Sequence, residues 1–206
     1  MSEPLRLSPI SRSHAALGAV FETEAAWQLP ASYGDEAAER ELLRSAVAIV
    51  DVTARGKIDV RGSVGPALGA AADSLVASVA PDWALVLTEP GGEEVLEPKL
   101  TSAAGPGEMV TDVTHLHAGF VLAGPKLNEL LARTTSWDPA TLAAGEATGA
   151  PIVDVRAVMV RRDASTLEVY VASEFARYAW STLLGVVQGL DGGPAGWNAL
   201  RAQGWR

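Results

Sequence analysis

Three histidines are the side chains of this sequence best suited to acid–base or metal chemistry. His115 and His117 are two residues apart, so on a β-strand both would project from the same face, a spacing that can bind zinc. No third ligand lies nearby in the sequence, and we therefore predict a structural strand position and no metal site. Asp112 with His115 could begin a hydrolase triad, but no serine stands in the Gly-x-Ser-x-Gly turn used by many such triads.

An acidic cluster and the tryptophans are the remaining candidates. Glu93, Glu94 and Glu97 follow a Gly-Gly pair, and carboxylates grouped in this way could transfer protons. Glutamates in turns are usually solvated, so we predict a surface cluster. The chain has 6 tryptophans, many for its length. They line a pocket for a flat ring or they pack in the core and at subunit contacts, and we favour packing.

Composition and charge exclude several classes of function. The chain has 206 residues, a formal charge of −9 and no dense Lys/Arg segment. Nucleic acid and anionic membranes require a basic surface, so neither partner is expected. The absence of cysteine excludes disulfides, thiolate metal sites and a cysteine nucleophile. No apolar run has the length of a signal peptide core or a membrane span, and we expect a cytoplasmic protein.

In the first half of the chain, hydrophobic periodicity and turn residues predict an arm followed by a mixed unit. Residues 1–34 are rich in Ser, Pro and Ala and are predicted to form an irregular arm that buries its aromatic residues. A helix capped by Asp35 should follow, and then a half-buried strand that ends at Gly62. Ser63 is predicted to cap a second helix that stops at Pro81. WALVLTE and VLEPKLTS are predicted to pair as a hairpin across the turn PGGEE.

The second half repeats this plan. HAGFVLAGP is predicted to be a strand, KLNELLART a helix, VRAVMVRRD and LEVYVA two strands, and SEFARYAWSTLLGVV a helix capped by Ser173. The tail from Leu190 is predicted to be a packed extension without a helix of its own. The order predicts an α+β fold of two pseudo-repeated strand–helix–hairpin subdomains with mixed or antiparallel sheets. We place the arm and first subdomain at 1–114 and the second subdomain with its C-terminal extension at 115–206. We expect the two subdomains to pack closely against each other, and either of them can be discontinuous in sequence.

Several segments of the chain resemble those of a known family. SPISRSHAALGAVF, AAWQLPASYG, AIVDVTARGKIDVRG and WALVLTEPGG carry the resemblance. The matching positions in the first three are His14, Leu17, Gly18, Trp27, Pro30, Tyr33, Gly34, Asp51, Val52, Gly56, Lys57, Val60 and Gly62. They are similar to the opening of the glycine-cleavage T-protein and its folate-binding aminomethyltransferase relatives. VTDVTHLHAGFVLAGPKLNELLART and LEVYVASEFARYAWSTLL more closely resemble the γ subunit of heterotetrameric sarcosine oxidase. The resemblance implies the aminomethyltransferase folate-binding fold.

The chain departs from that family where the resemblance implies chemistry. The aminomethyltransferases place an aspartate after the Gly-Gly turn, a place that falls here at Val95 or Leu96. Their pterin-binding glutamate falls at about Ala164, beside Asp163, and their folate-contacting arginine falls near Trp197. A hydrocarbon cannot accept a proton or pair with a cationic intermediate. The resemblance therefore implies a chain without catalytic residues of its own.

The same resemblance implies a vestigial folate pocket. Trp83 corresponds to the family's pocket tyrosine and Leu29 to an apolar contact. With Tyr33 and Asp163, these are the predicted cofactor-binding residues. Tetrahydrofolate is the ligand that such a pocket would take.

Two main functions are consistent with these features. The first is an auxiliary, non-catalytic γ-type subunit of a sarcosine-oxidase-like complex, which demethylates a small N-methyl amine and passes the one-carbon unit to tetrahydrofolate. The resemblance implies that FAD, FMN and NAD reside in the flavoprotein partner subunits of such a complex. The second is a folate-dependent aminomethyl or methyl transferase, or a stand-alone folate-binding protein, in which Asp163 and Glu94 or Glu97 replace the lost groups. A folate-sensing or iron–sulfur assembly helper ranks last, since the cysteine motif is absent.

Overall fold

The protein consists of α-helices and of strands that form three sheets. A computed structural model describes residues 4–62, 65–71 and 74–205. The strands are β1 (Arg6–Leu7), β2 (Val20–Glu24), β3 (Trp27–Ser32), β4 (Ala48–Asp51), β5 (Gly56–Arg61), β6 (Leu75–Ala80), β7 (Trp83–Thr88), β8 (Met109–Asp112), β9 (His117–Ala123), β10 (Ala147–Ile152), β11 (Val155–Arg161), β12 (Thr166–Ala172) and β13 (Gly193–Pro194). The α-helices are α1 (Ser11–Ala16), α2 (Glu36–Ser45), α3 (Gly65–Gly69), α4 (Glu93–Ala103), α5 (Leu127–Thr134), α6 (Ala176–Gln188) and α7 (Trp197–Arg201).

The sheets are mainly antiparallel. The largest has six strands in the order β10-β11-β12-β9-β4-β13, with a parallel pair only at the β4–β13 edge. A four-stranded antiparallel sheet has the order β6-β7-β5-β8, and a three-stranded N-terminal sheet has the order β1-β3-β2. This arrangement is the α+β class that the sequence predicts. Strand β4, from the first half of the chain, pairs with β9 in the six-stranded sheet. The subdomain division at 1–114 and 115–206 stays a prediction.

Both faces of the six-stranded sheet are covered by other elements, so polar side chains on either face lie against protein. Helices α5 and α6 pack on one face through residues such as Leu130 and Leu183. The other face meets the four-stranded sheet, where Val160 contacts the cluster that contains Leu85. Helices α3 and α4 cover the outer side of the four-stranded sheet, with Leu100 fully buried. Polar residues between the two sheets are therefore enclosed.

Elements with strong local signals form as predicted. Helix α2 begins after Asp35, whose carboxylate accepts hydrogen bonds from the amides of Ala37 and Ala38, both at 3.0 Å. Helix α5 buries its apolar stripe, which includes Leu127 and Leu131. The predicted pair of strands in the second half is also confirmed, since β11 and β12 are antiparallel neighbours.

Two predictions for the first half are wrong. The segment VLEPKLTS is not a return strand but belongs to α4, because Leu96 and Leu100, four residues apart, pack together against the four-stranded sheet. The hairpin partner of β7 is instead β6, which precedes it. The long helix predicted before Pro81 is also wrong, since α3 ends at Gly69 and β6 then begins. The cap predicted at Ser63 lies outside the described residues.

The predictions for the chain ends also need correction. Residues 1–34 form helix α1 and strands β1 to β3 and not an irregular arm, although Trp27 is buried as expected. The tail contains helix α7, whose Trp197 and Leu200 pack in the core. Ser173 begins a 3₁₀ turn, Ser173–Phe175, and its hydroxyl donates to the carbonyl of His115 and not to the amides of α6. Within the described residues, no helix is long and apolar enough to cross a membrane.

Candidate functional site

Five polar side chains, four of them buried and Arg162 partly exposed, form a cluster between the two larger sheets. This inter-sheet cluster consists of Arg55, Lys57, Arg162, Glu168 and Tyr170. Lys57 lies on β5, and Glu168 and Tyr170 lie on β12, at positions whose side chains face the opposing sheet. Lys57 and Glu168 have no exposed surface, and Tyr170 is 1% exposed. Buried charges require partners, so the hydrogen bonds of this cluster determine what it can do.

Glu168 is the centre of the cluster. Arg55 Nη1 lies 2.7 Å from Glu168 Oε1 and 2.8 Å from Oε2. Arg162 also donates to Oε1, and the Tyr170 hydroxyl donates to Oε2. Burial opposes the charge on Arg55, but Tyr170 and Glu168 beside it raise the Arg55 pKa above its ordinary value. Both carboxylate oxygens are thus engaged by the protein itself.

Lys57 is a buried amine that forms no salt bridge with any carboxylate of the described residues. Its Nζ donates to the carbonyl oxygens of Thr53 at 2.8 Å and Arg55 at 2.6 Å, and it lies 5.9 Å from the centre of the Tyr170 ring. Burial lowers the Lys57 pKa to about 7, although Asp51 and Glu93 favour the charged form. This amine therefore titrates near neutral pH.

Two cavities lie at opposite ends of the layer between the sheets. The larger, of about 800 Å³, is bordered by Arg55, Leu87, Arg201 and Trp205 among others. The Arg55 guanidinium stacks over the Trp205 ring, 4.7 Å from its centroid. The smaller cavity, of about 250 Å³, is lined by Arg61, Trp83, His117, Arg156, Ala157, Val158, Tyr170, Ala172 and Phe175.

The four residues of the predicted folate pocket have four different environments. Trp83 lines the smaller cavity, and its indole donates to Asp59 Oδ1 at 2.5 Å. Leu29 packs in the core cluster that contains Trp197. Asp163 lies at the surface, where its carboxylate accepts from the amide of Ser165 at 2.7 Å.

Tyr33, the fourth of these residues, belongs to a hydrogen-bonded network with His14 and Asp51. The Tyr33 hydroxyl lies 2.7 Å from His14 Nδ1, and His14 Nε2 lies 2.7 Å from Asp51 Oδ2. Burial alone would raise the Asp51 pKa, but His14, Ser8 and Thr53 lower it below its ordinary value through hydrogen bonds and charge. The His14 ring also meets Trp180 edge-on, 4.7 Å between centroids. The network joins helix α1 to strand β4.

Removing the Tyr33 hydroxyl should therefore destabilise the fold. We expect Tyr33→Phe to lower the free energy of unfolding by about 1–2 kcal/mol, because a ring nitrogen of buried His14 loses its partner. Tyr178→Phe, at a half-exposed tyrosine, is the matched control and should change stability little. Urea denaturation of the two variants measures the difference. Equal stabilities would mean that the Tyr33–His14 bond contributes nothing.

The other candidates for chemistry lie apart from one another. His115 is in the 3₁₀ turn Thr114–Leu116 and stacks on Trp27, 5.2 Å between centroids, whereas His117 begins β9. The prediction that both project from one strand face is therefore wrong. The prediction of a solvated acidic cluster is wrong for Glu93, which is 2% exposed and whose pKa is raised by burial. Glu94 is exposed and pairs with Arg6 at 2.7 Å.

Sequence reasoning missed most of the inter-sheet cluster. Lys57, Glu168 and Tyr170 alternate with apolar neighbours, which is also the pattern of a solvated strand face. The signals in the sequence were the tyrosine among the polar residues of β12 and the opposite charges of Lys57 on β5 and Glu168 on β12. Arg55 precedes its strand, and nothing local indicated its contact with Glu168, which is 113 residues away.

Comparison with solved structures defines the class of fold. The glycine cleavage system aminomethyltransferase T from Bartonella henselae superposes with a TM-score of 0.76 at 17% identity, over 95% of this chain and 60% of that chain. A chain of the heterotetrameric sarcosine oxidase from Corynebacterium sp. U-96, in complex with pyrrole 2-carboxylate, superposes with a TM-score of 0.67 at 17% identity, over 90% of this chain and 96% of that chain. The predicted aminomethyltransferase-like fold is confirmed.

Sequence comparison then gives the family. Residues 46–187 match the model of the sarcosine oxidase, gamma subunit family, and the chain belongs to that family. An aminomethyltransferase of Saccharopolyspora erythraea is 31% identical over 181 residues, which cover 82% of this chain and 47% of that protein. An aminomethyltransferase of Streptomyces coelicolor is 25% identical over 89% of this chain and 58% of that protein. The chain thus spans about half the length of these relatives.

Proposed function

We propose that this protein is an auxiliary, non-catalytic subunit of a sarcosine-oxidase-like hetero-oligomer in the cytoplasm. In this proposal, the complex demethylates a small N-methyl amine with tetrahydrofolate as the one-carbon acceptor. FAD, FMN and NAD would be bound by larger flavoprotein subunits. Membership of the sarcosine oxidase γ family and the fold shared with a heterotetrameric sarcosine oxidase support it.

The state of Glu168 is the observation that carries the non-catalytic role. An acid that orients a folate amine or transfers a proton needs a free oxygen facing a cavity. Glu168 is fully buried, and Arg55, Arg162 and Tyr170 occupy both of its oxygens. Its charge is balanced inside the protein, which is the arrangement of a structural ion pair.

The positions that correspond to the family's catalytic aspartate support the same conclusion. Val95 is 62% exposed on α4, and Leu96 packs against the cluster that contains Leu100. Neither side chain can accept a proton. The neighbouring acid Glu93 is buried against Gly56, where an added Cβ would come within 2.4 Å of Glu93 Oε2. None of these three residues is among those that line the two inter-sheet cavities.

Co-purification from the native host tests this proposal. A tagged copy of the chain should retain a larger protein with flavin absorbance, in a complex that oxidises an N-methyl amine. The purified chain alone should show no transferase activity. Recovery of the chain only as a free monomer, or methylene transfer by the isolated chain, would contradict the proposal.

The larger cavity favours a second candidate, a folate-binding protein or transferase. Its volume of about 800 Å³ lies within the range of ligand pockets. Trp205 there offers a flat ring, and Arg201, which pairs with Glu24 at 2.8 Å, supplies a cation, the groups that a planar carboxylate-bearing ligand requires. The predicted residues Trp83 and Asp163 are not among those that border this cavity.

A titration separates the two candidates. If the chain itself binds folate in the larger cavity, tetrahydrofolate should quench tryptophan fluorescence with a micromolar dissociation constant, and Trp205→Ala should weaken binding about tenfold or more, which is about 1.4 kcal/mol. Trp137→Ala, at an indole that lines neither of the two inter-sheet cavities, is the control. Under the auxiliary-subunit proposal we expect no saturable binding to the isolated chain.

A further inference from the structure

The smaller cavity opens on a surface with an unusual set of side chains. We call this surface the Trp83 face and define it by Arg61, Trp83, Met109, His117, Arg156 and Phe175. Met109 is included because it is directly opposite Arg61 in the β5–β8 pair, so both side chains lie on the same side of the sheet. Met109 is 65% exposed and Phe175 is 46% exposed.

The composition of this face is that of a protein interface. Aromatic residues, methionine and arginine are enriched in interfaces, whereas lysine, glutamate and aspartate are depleted from them. The defined residues include two aromatic rings, one methionine and two arginines, and none is acidic or lysine. Trp and Arg are also among the residues that most often dominate binding energy.

The size of the cavity favours a side chain over a cofactor. Pockets for drug-sized ligands have volumes of about 300–1,000 Å³. The cavity beside Trp83 and Phe175 has about 250 Å³, below that range. It has room for one apolar side chain of a partner, and the Tyr170 and Val158 side chains form part of its lining.

The charges of the face select the partner's chemistry. Arg156 is exposed and makes no ion pair within the described ranges 4–62, 65–71 and 74–205. The Arg61 guanidinium stacks on Trp83 at 4.0 Å and pairs with Asp59 at 2.7 Å, so it is already partly neutralised. The chain as a whole has a charge of −9. A basic, aromatic surface on an acidic protein complements a partner with a carboxylate beside an apolar side chain.

We infer that the Trp83 face docks a segment of the larger flavoprotein subunit, with an apolar side chain inserted beside Trp83 and a carboxylate paired with Arg156. This inference rests on the proposed function, since it assigns the surface through which that complex forms. Docking covers Phe175 and Met109 and removes their apolar surface from water. Arg156 then sets orientation and specificity more than total affinity.

The test uses a tagged full-length chain expressed in the native host. Arg156→Glu should reduce the recovered flavoprotein about tenfold or more, because it sets two carboxylates against each other. Arg44→Glu, at an exposed arginine on α2, is the matched charge reversal and should leave recovery within about twofold. Thermal melting of both variants checks that they fold like the natural chain.

Photo-crosslinking locates the contact independently of affinity. A benzophenone amino acid at position 175 should give an adduct with a flavoprotein peptide that carries an acidic residue beside an apolar one. The same group at position 95, at exposed Val95 on the outer side of the four-stranded sheet, should give none.

The outcomes separate the two proposals. Undiminished flavoprotein recovery with Arg156→Glu, or adducts at 95 but not at 175, overturns the docking inference and leaves the proposed function standing. If no flavoprotein is recovered with any variant, both the docking inference and the proposed function are overturned. An adduct at 175 with a second copy of this chain, or protection of position 175 by tetrahydrofolate alone, also overturns the inference, because another occupant then fills the face.

Discussion

Replacing Glu168 with glutamine should lower the free energy of unfolding by about 3–5 kcal/mol. The amide cannot balance Arg55, which is 3% exposed and lies 2.7 Å from the carboxylate. Glu129→Gln is the control, since its pair with Arg133 is about half exposed, and it should cost less than about 0.5 kcal/mol. Denaturant unfolding followed by tryptophan fluorescence measures both variants.

A double-mutant cycle tests whether the loss of stability in Glu168→Gln is caused by Arg55. In an Arg55→Met background, Glu168→Gln should cost at least about 1 kcal/mol less than in the natural chain, because the stranded cation is gone. Equal costs in both backgrounds would mean that Arg55 is solvated or paired elsewhere. A cost under about 1 kcal/mol for Glu168→Gln alone would also contradict a structural role for this carboxylate. In that case the non-catalytic proposal would lose its main support.

The sequence predicted those elements whose signals are local. Helix α2 has a capping aspartate at Asp35, and α5 has leucines at helical spacing, so both could be located from neighbouring residues alone. Strands β11 and β12 have alternating patterns on either side of a short turn. The overall fold was predicted from resemblance and not from periodicity, since no pattern within one element specifies how three sheets meet.

The candidate site could not be predicted because it depends on contacts between distant segments. Alternation on β12 places Glu168 and Tyr170 opposite Leu167 and Val169, but it does not reveal whether the polar side meets water or another sheet. The helix α4 was missed for a related reason, since Leu96 and Leu100 fit a helix, whereas the turn at Gly91 and Gly92 suggested that a return strand follows. In each case tertiary packing decided between two locally acceptable readings.

Raising the pH from 7 to 9.5 should stabilise the protein through Lys57 by about 3 kcal/mol, or about 1.4 kcal/mol per pH unit. Burial lowers the Lys57 pKa in the folded protein to about 7, whereas the lysine of the unfolded chain titrates at 10.5. Between these values the unfolded chain binds one more proton than the folded chain, so stability rises with pH. Below pH 7 both states are protonated and the contribution becomes constant. The full benefit is reached above the unfolded pKa of 10.5, decreases as the pH falls below that value, and is gone below the folded pKa of about 7.

Lys57→Met isolates this contribution. The variant leaves the carbonyls of Thr53 and Arg55 without the amine, a loss present at every pH, so its stability is expected to be lower at pH 9.5. The decisive quantity is the stability difference between the natural chain and the variant, which should grow in favour of the natural chain from pH 7 to 9.5. Ionisation of tyrosines affects both proteins equally and cancels. Lys99→Met, at an exposed lysine on α4, should have the same stability as the natural chain at every pH. A difference that stays flat across this range would show that the buried amine keeps its proton up to high pH, which would mean that the layer between the sheets admits water or an unrecognised counter-charge.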